Sequence, residues 1–107
     1  MHTLQSVIWD EDANSTTILA KRAQLTKQMD VWRNASVGAG AYLGEGDRNE
    51  PHFQQSFYGS SYEQLLTIKH EWDPENVFWA RNAVGSEVYN IETQDTLNDE
   101  NGRLCKA

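Results

Sequence analysis

Ile18, Leu25, Met29 and Trp32 stand seven, four and three residues apart, the spacing of one face of an α-helix, and Lys21, Gln24, Lys27, Gln28 and Asp30 make the opposite, polar face. Asn14 or Ser15 can cap its start, so a helix is predicted from there to about Trp32. A second apolar set, Tyr62, Leu65, Leu66, Ile68 and Trp72, predicts a helix with a broad apolar face. Ser60 and Glu63 have capping-box spacing at its start, and Asp73-Pro74 ends it, because proline disfavours helical geometry in the residue before it. Four shorter runs read as extended: Leu4 to Trp9, closing in the acidic turn Asp10-Glu11-Asp12; Ala41-Tyr42-Leu43, after the breakers Gly38 and Gly40; Asn76 to Trp79, a short buried strand or docking segment; and Val88 to Ile91. Gly44 to Pro51 is predicted as a polar loop. The expected class is α+β, two amphipathic helices with a few short strands.

Composition changes this picture in one respect. With 107 residues the chain has room for a single core, yet only 38% of it is hydrophobic and its mean hydropathy is -0.72. That lies on the polar side for a self-sufficient globule, so the fold is expected to lean on a partner. Four Trp, four Tyr and three Phe argue against disorder. The net charge of -7 repels a phosphate backbone, so nucleic acid is not an expected partner. No apolar run approaches the roughly twenty residues that span a bilayer, and the first residues have neither the basic nor the apolar stretch of a signal peptide. Cys105, the single cysteine, is expected as a free thiol or half of a bridge to sequence outside this chain.

Candidate chemistry is sparse. Glu45, Asp47 and Glu50 could act as acid, base or hard-cation ligands, but they lack calcium-loop spacing and read as a solvated loop. His2, His52 and His70 share no metal-ligand spacing. No Gly-rich phosphate loop or dinucleotide fingerprint occurs, and Ser56, Ser60 and Ser61 lie outside any nucleophile elbow. Tyr42, Tyr58 and Tyr62 could serve as proton donors or acceptors against a cofactor, although tyrosines beside apolar stripes are more often core with the hydroxyl at the rim. Trp9, Trp32, Trp72 and Trp79 are read as core rather than sugar-stacking platforms. Asn14-Ser15-Thr16 and Asn34-Ala35-Ser36 match the N-glycosylation pattern, which matters only in the secretory pathway.

From Gly38 to Cys105 the chain resembles the C-terminal region of berberine bridge enzyme-like oxidases, particularly the fungal type. The residues that carry the resemblance are Gly40-Ala41-Tyr42-Leu43-Gly44-Glu45-Gly46-Asp47, Asn49-Glu50-Pro51 and Phe53 to Gly59. They continue through Tyr62 to Lys69, Trp72-Asp73-Pro74, Val77-Phe78, Val84 to Glu87 and Gly102 to Cys105. The resemblance implies a vanillyl-alcohol-oxidase-type flavoprotein in which this stretch is a partial substrate or cap domain. One strand would roof the substrate pocket, and the helix with its Asp-Pro segment would return to pack on the flavin domain. It implies FAD as cofactor, held mainly by an upstream domain or subunit, and a small-molecule substrate, with neither nucleic acid nor membrane as partner.

By the same resemblance Tyr42 stands beside the flavin ring as the candidate catalytic residue, and Tyr42, Gly44 and Tyr62 are the candidate cofactor contacts. Relatives carry asparagine where this chain has Gly44, so an amide able to hydrogen-bond the flavin is missing. The expected segments are 1–37, a loosely matching strand and helix; 38–85, the family segment; and 86–107, an acidic tail. The expected role is to shape the pocket of an FAD-dependent oxidoreductase, with activity of this chain alone left open. The alternative is a non-catalytic interaction module derived from that family. The parent family is often secreted.

Overall fold

The computed structural model describes residues 3–93, 97 and 102–107. The chain forms two compact units, Met1–Val37 with Ile91–Cys105, and Gly38–Asn90 with Lys106–Ala107.

The first unit is built on α1 (Ser15–Ala35). The Asn14 side chain accepts from the Thr17 amide at 2.9 Å, satisfying one of the orphan amides of the first turn. The helix runs three residues beyond Trp32 and stops at Ser36, whose amide bonds back to the Trp32 carbonyl. Arg33 steadies that last turn through Asp30 at 2.7 Å and the Thr26 carbonyl at 3.2 Å. Ile18, Leu25, Met29 and Trp32 are all half-buried, so the predicted face exists but closes no core.

The predicted strand from Leu4 to Trp9 is not a strand. Among the described residues no neighbouring strand offers it a ladder, and side chains of α1 meet it instead. Lys21 Nζ donates to the Ile8 carbonyl at 2.8 Å, and the Arg22 guanidinium sits 5.5 Å over the Trp9 ring.

In the second unit α2 (Tyr62–Trp72) is entered through a π-helical turn, Gln54–Tyr58, and a 3-10 turn, Gly59–Ser61. The predicted Ser60–Glu63 capping box does not form. Ser61, the residue before the helix, is already helical in backbone and makes no side-chain cap, because the chain enters α2 wound. Gly59, at φ +57°, bonds back to the carbonyls of Gln54 and Gln55, and the Tyr62 amide bonds to the Gly59 carbonyl. The predicted stop holds, with Asp73 breaking the helix at φ -140° and Pro74 following.

Ala41-Tyr42-Leu43 is also not a strand. Its one ladder-like bond joins the Ala41 amide to the Ser56 carbonyl at 2.7 Å, and after Tyr42 the chain tightens into a 3-10 turn at Leu43–Glu45. Asn76 to Trp79 forms neither a strand nor a buried segment. The Asp73 carboxylate captures the Val77 and Phe78 amides, while their side chains stand 74% and 81% exposed.

A two-stranded sheet pairs β1 (Tyr89–Glu92) with β2 (Arg103–Lys106). The Ala107 amide meets the Val88 carbonyl at one end, and Arg103 meets Glu92 at 3.1 Å at the other, an antiparallel register. The predicted strand at 88–91 is therefore present one residue on. The predicted acidic tail ends in β2, and its residues 94–96 and 98–101 lie outside the described residues.

Candidate functional site

Tyr62, at 5% exposure, is the one buried large hydrophobic residue among the described residues. Its ring packs edge-on to Phe53 at 6.1 Å and tilted against Tyr58 at 5.8 Å. Its hydroxyl lies 2.7 and 2.8 Å from the two Glu87 carboxylate oxygens and accepts from the Gly85 amide at 3.1 Å. Gln54 also donates to Glu87, at 3.2 Å, and Tyr58 donates to the Asn82 carbonyl at 3.0 Å. Trp79 completes this end of the unit, its Nε1–H donating to the Ser86 carbonyl at 3.0 Å and its ring standing edge-on to Tyr89 at 6.5 Å.

Electrostatics here favour neutral phenols. Burial pushes the Tyr58 phenol up, and the neighbouring Tyr62 adds to it. Burial also raises Tyr62, outweighing the Gly85 and Gln54 hydrogen bonds that favour its ionised form. The proton-acceptor role considered for these two tyrosines from sequence needs a lowered pKa, so the environment runs against it. Both hydroxyls are structural struts, donating to an acceptor on the 82–87 turn.

Tyr42 has the opposite setting, with its side chain 70% exposed. Its ring lies over Gly44, where a Cβ would stand 2.8 Å from the ring's Cε1. Two positions further on, a Cβ at Gly46 would stand 2.5 Å from the Phe57 ring, so the turn is pressed against the π-helical segment from one side and by Tyr42 from the other. The sequence candidates Tyr42 and Gly44 are thus in direct contact, whereas Tyr62 is buried with its hydroxyl committed to Glu87 and Gly85.

The acidic loop folds its carboxylates onto itself. Asp47 accepts from the Asn49 amide at 2.9 Å, and Glu50 accepts from the Ser56 hydroxyl at 3.0 Å and the His52 amide at 3.3 Å. Among the described residues no group of three or more His, Cys, Asp or Glu could hold a metal ion. No described helix is long and apolar enough to cross a membrane. Cys105 is a free, half-buried thiol on β2. Beside Tyr62 a shallow polar groove of about 270 Å³ is lined by Gln54, Gln55, Gly59, Ser60 and Glu63.

Residue reasoning did not anticipate Lys69 and Asp73, which are largely buried and paired with each other. The signal for them was an Asp directly after a helix, whose carboxylate can accept amides a few residues on. The broad apolar face predicted for α2 divides in two. Tyr62, Leu66 and Lys69 turn inward, but Leu65, Ile68 and Trp72, at i, i+3 and i+7, form a second stripe whose members are all exposed, Trp72 to 81%.

The family model described as "Berberine and berberine like" matches residues 41–85. The FAD-linked oxidoreductase ZEB1 of Gibberella zeae is 33% identical over 100% of this chain and 18% of its own length. The VAO-type flavoprotein oxidase VAO615 of Thermothelomyces thermophilus is 33% identical over 92% of this chain and 16% of its own. FAD-linked oxidoreductase orf1 of Neocamarosporium betae is 43% identical over 97% and 18%. The crystal structure of the VAO-type flavoprotein MtVAO615 from Myceliophthora thermophila superposes with a TM-score of 0.77 at 33% identity, covering 92% of this chain and 17% of that one. The chain therefore spans under a fifth of the length of these relatives. On the family match, the run of fungal relatives and the shared α+β fold, the chain is homologous to a segment of the berberine bridge enzyme-like FAD-linked oxidoreductases.

Proposed function

We propose that this chain is the C-terminal segment of an FAD-dependent oxidoreductase, where it borders the substrate pocket with Tyr42 and packs the second stripe of α2 on the part of the protein that holds the flavin. One observation carries the reading: Leu65, Ile68 and Trp72, followed by Val77 and Phe78, stand exposed in a segment whose relatives are more than five times its length. An apolar set of this size on a short helix and its following turn is the surface of an element that is covered in its working state. Full burial of a side chain such as Trp72 or Phe78 is worth about 1.5–3 kcal/mol, so covering these two alone would contribute several kcal/mol before ordering costs.

FAD supplies the hydride acceptor in such an enzyme. This chain's own share in holding it is small, since the described residues include no phosphate-cradling loop. Tyr42 is the residue that fits the role, an exposed phenol that can give or take a proton at the edge of a pocket. Gly44 lies under its ring and leaves room for it. Tyr62 serves from behind, tying α2 to the 85–87 turn.

The test is reconstitution. The chain is co-expressed with the VAO615 polypeptide lacking the stretch that this chain matches, and the purified product is examined for co-elution, flavin absorbance and substrate oxidation. A flavin-containing complex that turns over supports the reading, and failure to associate refutes it. Gly44, which offers no side-chain amide, favours one second reading, a non-catalytic interaction module. A stable complex without flavin would select it.

A further inference from the structure

We propose that the Lys69–Asp73 pair is a latch that fixes Val77 and Phe78 as a preformed hook for the flavin-holding body of a VAO-type oxidoreductase. The inference rests on the reading above that such a body covers α2, and adds how the contact is prepared. Asp73 Oδ1 accepts from the Val77 amide at 2.8 Å and Oδ2 from the Phe78 amide at 3.0 Å. Lys69 Nζ bonds to that same Oδ2 and donates to the Phe78 carbonyl at 2.7 Å. Between them the chain reverses at Asn76, in the left-handed region at φ +55°, with its amide on the Asp73 carbonyl at 3.0 Å. Both polar groups of the Phe78 backbone are thus taken by two largely buried side chains of the α2 terminus.

The consequence is unusual for an exposed turn. Its backbone is held at fixed positions while Val77 and Phe78 point outward, 74% and 81% exposed. Ordering a loop on association costs affinity, and a turn already ordered avoids that cost. The VAO-type neighbour supplies the occupant's chemistry, since the matched stretch is 17% of a single flavoprotein chain and the rest of that chain is the surface such a segment meets. Lys69 and Asp73 are positioning residues in this scheme, acting through the Phe78 backbone.

The test uses the full chain with the shortened VAO615 polypeptide as probe. Asp73→Asn and Phe78→Ala are each expected to weaken association tenfold or more. In the chain alone, Asp73→Asn should speed hydrogen exchange of the Val77 and Phe78 amides about tenfold and leave the mid-α2 amides unchanged, whereas Phe78→Ala should leave the 77 and 78 amides protected. Lys69→Met repeats the comparison where Asp73→Asn costs α2 its helicity. Unchanged association for Asp73→Asn and Lys69→Met, or amides at 77 and 78 that exchange freely in the unmodified chain, overturns the latch while leaving the docking reading standing. No complex with the unmodified chain overturns both. Self-association abolished by Phe78→Ala would make a second copy the occupant and overturn the proposal.

Discussion

Replacing Tyr62 by Phe removes one oxygen from a buried position and leaves the ring in place. The loss falls on two partners. Glu87 loses a donor 2.7 Å away, a bond to a charged acceptor, and the Gly85 amide, in a buried turn, loses its acceptor at 3.1 Å. A hydrogen bond to a charged group contributes about 1.5–3 kcal/mol, and a buried amide left unsatisfied costs about 1–3 kcal/mol. Glu87 is itself exposed and recovers part of its loss from water, so the net effect is about 2 kcal/mol. With a urea m-value of about 1–3 kcal/mol/M for a small protein, the unfolding midpoint should fall by about 1 M. Urea titration followed by far-UV circular dichroism measures it. A shift under about 0.2 M would refute the claim that this hydroxyl ties α2 to the 85–87 turn.

Three further outcomes follow from the same geometry. Asn14→Ala removes the acceptor of the Thr17 amide and should cost about 1 kcal/mol, read as lost helicity in the first turn of α1 by amide exchange. Gly85→Ala places a Cβ 3.3 Å from Leu66 Cδ1 at φ +76°, and should cost about 1–2 kcal/mol in urea unfolding. Tyr58 and Tyr62 have phenol pKa values raised above 10.0 in the folded chain, so their protonated forms favour the fold. That contribution is fully present below pH 10.0 and is lost as pH rises through the folded values, where the unfolded chain releases protons first. Ultraviolet titration should show two of the four tyrosines ionising late and together with loss of helicity.

What could be read from the residues was what short-range chemistry decides. Asn14 caps α1 because its side chain reaches an amide three residues on, and Asp73-Pro74 ends α2 because proline constrains its neighbour. The runs at Leu4 to Trp9 and Ala41 to Leu43 have strand-like composition, but a strand needs a neighbour, and here their carbonyls and amides go to Lys21 and Ser56. Val77-Phe78 and Trp72 read as buried because they are apolar. They stand exposed instead, and spacing alone cannot show which apolar faces are left uncovered. As cofactor contacts, Tyr42, Gly44 and Tyr62 entered through family resemblance. That Tyr62 would spend its hydroxyl on Gly85 and Glu87 depends on partners 23 and 25 residues away, for which no local pattern exists.

The most direct measurement of the central claim is hydroxyl-radical footprinting of the Trp72 and Phe78 side chains, free and in the presence of the shortened VAO615 polypeptide. If a flavin-holding body covers this face, labelling of both should drop at least tenfold on complex formation, with Trp9 labelled as before. Equal labelling of Trp72 and Phe78 in a complex that demonstrably forms would place the contact elsewhere and contradict the account.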